Sequence, residues 1–413
     1  MTRELVGWLY DTAVCTVRPA RDGVALSFHS DGLDRWGTGS PVLSVALPLA
    51  VPDPKPSRAT AFVEGLLPEG EARSLLASRA GISATDTFAM LERYGRDVAG
   101  AVCFLEPGVE PSGTAWAYRD LRADEVAAML RDVAQVPLGN SEAGDSKSLA
   151  GYQDKVLLAR QPGAPGWLKP LRGAPSTHIL KPPNPRFPDL VWEEHFAMAL
   201  AHRAGLDAEA AGVETIGDSA VLVVERYDRA GTWPPRRVHQ EDMVQALGLL
   251  PARKYQRYGG AVTLKAIARL VPRDDLPTLL ADVTFMCAVG DADQHGKNLS
   301  LLHGADGTIR LAPLYDLAPT SHYPGYDNRL ALNVGGTEHV NAVRSADIVR
   351  EAVGWGLGES TASTAVTTVL ESVSEALKRV DDADLGELPP AVRRTVADRV
   401  RSLLTGRPAG AAV

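Results

Sequence analysis

From residue 149 onward the apolar residues turn from short runs to helical spacing near residue 238, and that change restricts this part of the fold to a strand-rich lobe followed by a helical one. From 149 to 228 they come in short runs, Val156-Leu-Leu-Ala159, His178-Ile-Leu-Lys181 and Ala220-Val-Leu-Val-Val224. Each has the length of a strand, and a helical segment at about 190–204 lies between the last two. Beyond 238, Leu276, Leu279, Leu280, Val283 and Met286 fall on one face of a helix. Val366, Val369, Leu370, Val373, Leu377 and Val380 repeat that stripe, and Val392, Val396, Val400 and Leu403 predict a terminal helix. The small-residue tail from Gly406 to Val413 reads as frayed.

A further α+β unit precedes these. Val24, Leu26 and Phe28 alternate with their neighbours as in a half-buried strand, so a small antiparallel sheet is expected within residues 3–50. Helical spacing follows at Phe62, Leu66 and Leu67, at Leu75 and Leu76, and at Phe88 and Leu91 behind a Ser83-x-x-Asp86 capping pattern. Turn-rich residues 107–114 and the polar loop from Gly139 to Ser148 then punctuate the chain. The expected organisation is an N-terminal unit over 1–107, a linker with a connecting helix over 108–145, a strand-rich lobe over 146–232 and a helical lobe over 233–413.

At 413 residues, 45% apolar and 23% charged, the chain can fill several cores and is too apolar to be mostly disordered. Its 43 Lys and Arg against 51 Asp and Glu leave a net charge of −8, which argues against a non-specific polyanion binder. Cys15, Cys103 and Cys287 are odd in number and scattered, so neither a disulfide framework nor a cysteine-rich zinc site is expected. The longest apolar stretch, Pro41 to Val51, is too short to span a membrane, and Glu4 sits where an export signal would turn apolar. The expected location is the cytoplasm.

Several nucleotide and hydrolase fingerprints are missing. There is no Gly-x-Gly-x-x-Gly, no His-Glu-x-x-His and no Gly-x-Ser-x-Gly, and the nearest Walker A spacing, Gly139 to Gly144, continues with Asp145 in place of lysine. The densest polar cluster is Asp291-Ala-Asp293-Gln-His295-Gly-Lys297-Asn298, just after Gly290, a residue suited to stop the helix before it. Phosphoryl transfer needs a carboxylate to orient the attacking hydroxyl and a nearby amide oxygen for a divalent cation. Asp293 and Asn298 have the spacing of that pair in protein kinases. Asp316, in Leu314-Tyr-Asp316-Leu, offers a second metal ligand at the expected end of a buried strand. Lys181 closes a short strand from which it can reach phosphates, and Trp192-Glu-Glu194-His-Phe196 offers its partner, Glu194 being preferred to Glu193. Ala150, Gly151, Tyr152 and Gln153 can turn backbone N–H groups toward a phosphate. Glu225-Arg-Tyr227-Asp228 closes the last strand where an adenine edge can be read. Taken singly, each residue also fits a turn, a helix end or a solvated face. The ordered set is what points to chemistry.

In this order the motifs Ser148-Leu-Ala-Gly-Tyr-Gln-Asp-Lys155, His178-Ile-Leu-Lys181, Glu225-Arg-Tyr-Asp228, Gln240-Glu-Asp-Met-Val-Gln245, Asp293-Gln-His-Gly-Lys-Asn298 and Tyr315-Asp316 resemble the HipA family of bacterial toxin-type serine/threonine kinases. Phe62-Val-Glu-Gly-Leu-Leu-Pro-Glu-Gly70 and Gly95-Arg-Asp-Val-Ala-Gly-Ala101 resemble the small domain before that family's kinase core. The resemblance implies an α+β, two-lobed, protein-kinase-like fold with a small N-terminal α+β domain and a largely helical C-terminal lobe. It implies ATP with Mg, Lys181 on the phosphates, Asp293 as base, Asn298 and Asp316 on metal, Glu225 and Tyr227 at the adenine hinge, and motif roles for His295 and Lys297. Ser148 corresponds to a serine that relatives phosphorylate on themselves. Ala292 departs from the threonine often found before the catalytic Asp. The resemblance further implies a HipB-like helix-turn-helix antitoxin, DNA contact only through it, no membrane, and a translation component such as glutamyl-tRNA synthetase as substrate. The alternatives are a small-molecule kinase of the antibiotic or choline type and a catalytically weak partner of a DNA-binding repressor.

Overall fold

A computed structural model describes residues 3–111, 116–140, 145–151, 153–323, 325–380 and 385–411. The alternation at Val24 and Leu26 buries both side chains in an antiparallel sheet of β1 (Leu5–Leu9), β2 (Thr12–Ala20), β3 (Gly23–Phe28) and β4 (Val102–Leu105), in the order β3-β2-β1-β4. Helices α1 (Ser30–Trp36), α2 (Pro56–Leu66), α3 (Gly70–Ala80) and α4 (Thr87–Tyr94) complete this unit, and Phe62, Leu66, Phe88 and Leu91 share one core with the sheet. The cap of α4 is Asp86 rather than Ser83: its carboxylate accepts the Ala89 N–H at 2.9 Å.

Residues 108–145, expected as a linker with a connecting helix, carry a helix and also a strand that joins the next lobe. β5 (Ala117–Leu121) pairs with β7 (Trp167–Leu171), and α5 (Ala123–Arg131) buries Val126 and Leu130 against Leu158, Leu180 and Val221. The lobe's main sheet is antiparallel, β6 (Val156–Leu158), β8 (His178–Lys181), β9 (Ala211–Ile216) and β10 (Ser219–Glu225), in the order β6-β8-β10-β9. β9 escaped the sequence reading because an edge strand that is only half-buried carries no apolar run. β10 is covered on both faces: Val221 and Val223 face the α5 side, while Leu222 and Val224 pack with Val191 of α6 (Leu190–Arg203). The register sets Leu222 opposite Lys181, placing the lysine at the open end of β8.

The helical lobe is more mixed than its periodicity suggested. A short hairpin, β11 (Arg229–Ala230) with β12 (Arg236–Arg237), leads to β13 (His239–Asp242), which pairs with β14 (Ser300–His303), and β14 pairs in turn with β15 (Ile309–Leu311). The short α7 (Met243–Ala246) and α8 (Leu264–Ala268) precede α9 (Leu276–Val289), which is buried on nearly every side rather than along one stripe. α10 (Ser345–Gly354), α11 (Glu359–Arg379) and the terminal helix Pro390–Leu404 enclose it. The tail read as frayed is docked as far as Ala411, with Ala409 N–H on Val343 O at 2.8 Å and Gly410 N–H on Asn341 O at 2.9 Å. The result is the α+β, two-lobed fold with a small N-terminal unit, and a cleft of about 440 Å³ opens between the lobes.

Candidate active site

Gly290 ends α9 in the left-handed conformation, φ 83°, and a Cβ there would lie 2.2 Å from Ser321 Oγ, so the helix stops where the polar cluster begins. Asp291 then ties two loops together. One carboxylate oxygen accepts the Asp293 N–H at 2.7 Å and the other accepts the Ala318 N–H at 3.4 Å, two residues beyond Asp316. Ala292, where a hydroxyl is missing, donates its N–H to the Thr320 hydroxyl at 3.0 Å. Asp293 Oδ1 accepts from the Tyr255 hydroxyl at 2.9 Å, and burial raises its carboxyl above the usual range against that hydrogen bond.

Across the cleft, the Lys181 ammonium binds the Glu194 carboxylate of α6 and lies 2.6 Å from Asp316 Oδ1. Burial alone would lower the lysine's pKa, but Asp316 and Glu194 outweigh it, so the ammonium stays charged. Burial would equally raise Asp316, and Lys181 with Lys155 holds it well below the ordinary carboxylate range. Asp316 has φ 55°, a strained conformation for a non-glycine that costs about 1–3 kcal/mol. Its N–H donates to Glu209 at 3.3 Å, and Glu209 is itself pushed up to about 8, chiefly by burial. Glu193, the neighbour not chosen, faces away from Lys181: the Tyr323 hydroxyl reaches it at 2.7 Å and His322 at 3.0 Å.

The cleft holds cations for an anionic ligand, oxygen donors for a hard metal ion and a carboxylate facing them. That set fits a nucleotide with a divalent cation: Asn298 and Asp316 supply oxygens, and among the described residues no group of three His, Cys, Asp or Glu forms a metal cage of its own. The HipA N-terminal domain model matches residues 5–105 and the HipA-like C-terminal domain model matches residues 147–379. The chain belongs to the HipA family. It is 37% identical over 345 residues to the putative kinase Y4mE of Sinorhizobium fredii, covering 78% of this chain and 80% of that one. It is 28% identical over 341 residues to the serine/threonine-protein kinase toxin HipA of Shewanella oneidensis, covering 77% and 76%. Its fold matches a solved Shewanella oneidensis complex of HipA, HipB and operator DNA with a TM-score of 0.80 at 25% identity, covering 97% of this chain and 96% of that one. The protein is thus a HipA-type serine/threonine kinase, a class that uses a nucleotide and a metal, and none of its described helices is long and apolar enough to cross a membrane.

Within this HipA-family cleft, Ala150, Gly151, Gln153, Lys181, Glu194 and Tyr227 line the side of the strand-rich lobe, and Asp293, His295, Lys297, Asn298 and Asp316 line the other. Tyr152 falls outside the described residues. Glu225 does not line the cleft: its side chain is exposed at the end of β10, while Tyr227 turns inward onto Tyr315, with ring centroids 5.5 Å apart. Asp316 is not at a strand end, because β15 stops at Leu311 and Leu314 makes only an isolated bridge to Ala208. His295 is held neutral, its pKa pushed down to about 3 by burial and by Lys254. Lys297 is engaged sideways, 2.6 Å from Asp242 Oδ2 and 3.3 Å from Gly65 O, with Glu69 at 3.9 Å. Ser148 lies wholly buried behind the cleft.

Sequence reasoning passed over Lys155, Glu209, Asp242, Tyr255 and Glu69. Lys155, Asp242 and Glu69 stand inside motifs quoted above without a role; the Lys155 ammonium donates to Ala150 O at 2.9 Å and is lowered to about 8 by burial and by Lys181. Gly151 has φ 109°, a conformation that favours glycine over any residue with a side chain. The N-terminal unit walls one flank of the cleft. Gly100 N–H donates to Asp228 at 2.7 Å, Arg229 pairs with Asp97 at 3.0 Å, and Gln245 Nε2 donates to Phe62 O at 2.8 Å.

Proposed function

We propose that this protein is an ATP- and Mg-dependent protein kinase that acts as the toxin of a toxin–antitoxin pair. The observation that carries the reading is Lys181 joined to both Glu194 and Asp316 across the cleft from Asp293. Lys181 and Lys155 receive the phosphates, with the backbone of Ala150 to Gln153 beside them. Asn298 and Asp316 hold the Mg ion, which neutralises charge on the transferring phosphoryl group. Tyr227 packs at the adenine end. Asp293 orients the acceptor hydroxyl and takes its proton. His295, kept neutral, adds no positive charge beside it, and Lys297 secures the loop to Asp242.

The proposed acceptor is a serine or threonine of a translation component, glutamyl-tRNA synthetase being the first to test, and Ser148 of the chain itself. The proposed partner is a HipB-like helix-turn-helix antitoxin, through which alone the chain meets DNA; the Shewanella complex of HipA, HipB and operator DNA supports this. The cytoplasm is the proposed location. Incubation with γ-labelled ATP and Mg, alone and then with cell extract, tests the reading. Labelled protein identified by mass spectrometry is the expected result, and labelling of a small molecule only would turn the assignment to another kinase class.

A further inference from the structure

Tyr255 sits between α7 and α8, in a segment that straps the catalytic loop at two points. Its hydroxyl donates to Asp293 Oδ1 at 2.9 Å, and the preceding carbonyl, Lys254 O, accepts the Gly296 N–H at 3.1 Å. Gly296 packs there against Val262 and Val244, since a Cβ would lie 2.7 Å from Val262 Cγ2 and 3.0 Å from Val244 Cγ2. The phenol ring stands edge-on to His295 with centroids 5.2 Å apart, and the Arg257 guanidinium covers it at 4.7 Å. Lys254 reaches Glu69 of the N-terminal unit at 3.7 Å. A carboxylate with one oxygen held by a donor and its backbone N–H fixed by a neighbour, here Asp291, has little freedom left to rotate.

We propose that Tyr255 is the positioning residue of the base: its hydroxyl holds Asp293 Oδ1 and so aims Oδ2 at the acceptor hydroxyl. This rests on the kinase reading. In the transfer, the acceptor oxygen forms its bond to the γ-phosphorus, the bond to the bridging oxygen breaks as ADP leaves, and the acceptor proton goes to Asp293 Oδ2. Tyr255 keeps its own proton throughout.

The test follows the initial rate of label transfer from γ-labelled ATP with Mg to the full-length chain and to extract protein, over a range of ATP concentrations. Tyr255→Phe, which keeps the ring and its packing, is expected to lower the maximal rate roughly ten- to a hundredfold, the range for a hydrogen bond to a charged group, with half-saturation by ATP unchanged. Tyr255→Ala is expected to lose no more than Tyr255→Phe. On an Asp293→Asn background, Tyr255→Phe is expected to add no further loss. A Phe variant at the parental rate, or one that changes only ATP half-saturation, overturns the positioning role and leaves the kinase reading standing. A parent that labels neither itself nor any extract protein removes the kinase reading and this inference with it.

Discussion

Ser148 donates its hydroxyl to the carbonyl of Leu66 at 2.7 Å, across the boundary with the N-terminal unit, and is completely buried there. Its N–H donates to Asp97 O at 2.8 Å, so the start of the loop proposed to bind phosphates is anchored twice on that unit. A phosphate on this oxygen carries about −1.5 to −2 charges and cannot return to a site built around a carbonyl.

Self-modification is therefore expected to leave the loop displaced and the cleft closed to nucleotide. Mass spectrometry after incubation with ATP is expected to find phosphate on Ser148 or Ser146 in the parent and none in Asp293→Asn. Ser148→Asp is expected to weaken ATP binding at least about tenfold, since the carboxylate loses its place beside Leu66 O. ATP binding by that variant at parental strength would contradict the displaced loop.

Asp293→Asn is expected to lower phosphoryl transfer by roughly two orders of magnitude or more while ATP still binds, because the amide cannot accept the proton. Asp316→Ala should instead weaken Mg-dependent ATP binding, and it frees Lys181 from one of its two carboxylates. Titration calorimetry with and without Mg separates the two variants.

Expression without the proposed antitoxin is expected to slow growth of the host, and Lys181→Ala to relieve the arrest, since the alanine leaves Glu194 and Asp316 without their shared cation. Growth curves at matched protein levels check this. Equal toxicity of both forms would point away from catalysis.

Acid is expected to loosen the seam between the N-terminal unit and the helical lobe at His239. Its ring meets Leu43 O at 2.8 Å and the Ala101 N–H at 3.3 Å, and its pKa is pushed down to about 3 by burial and by the neighbouring His303. Folded His239 stays neutral while the unfolded chain takes up a proton near pH 6.5, so stability is full above that pH and falls between 6.5 and about 3. The slope is roughly 1.4 kcal/mol per pH unit. Melting of the parent against His239→Gln over that range is expected to show the parent losing stability more steeply.

What the sequence disclosed depended on how local the signal was. The run His178-Ile-Leu-Lys181 is a strand in its own right, and the helix ended by Gly290 announces the loop carrying Asp293. Glu194 could be separated from Glu193 only as a preference, because successive residues on a helix face different partners and only packing says which one faces Lys181. Tyr255 and Glu69 stayed hidden for a different reason. Tyr255 reaches Asp293 from 38 residues away with no motif around it, and Glu69, although inside the Phe62–Gly70 motif, approaches Lys297 from a separate unit, so its role there is not marked locally. At Glu225 the sequence points to the strand end and its backbone, not to the side chain: the carboxylate stays in solvent and the N–H donates to Ala210 O, while the next two residues, Arg226 and Tyr227, line the cleft.

Ser148 on Leu66 O, Lys297 on Gly65 O and Asp228 beneath the Gly100 N–H have a genetic consequence. Each completes, with an atom from the first hundred residues, a hydrogen bond that a gene fragment starting near codon 147 would lack. Without that unit the three groups turn to water, while Lys297 keeps Asp242 and Asp228 keeps Arg226. A kinase half encoded alone is therefore expected to be less stable than the same half with the N-terminal unit supplied, in the same chain or beside it.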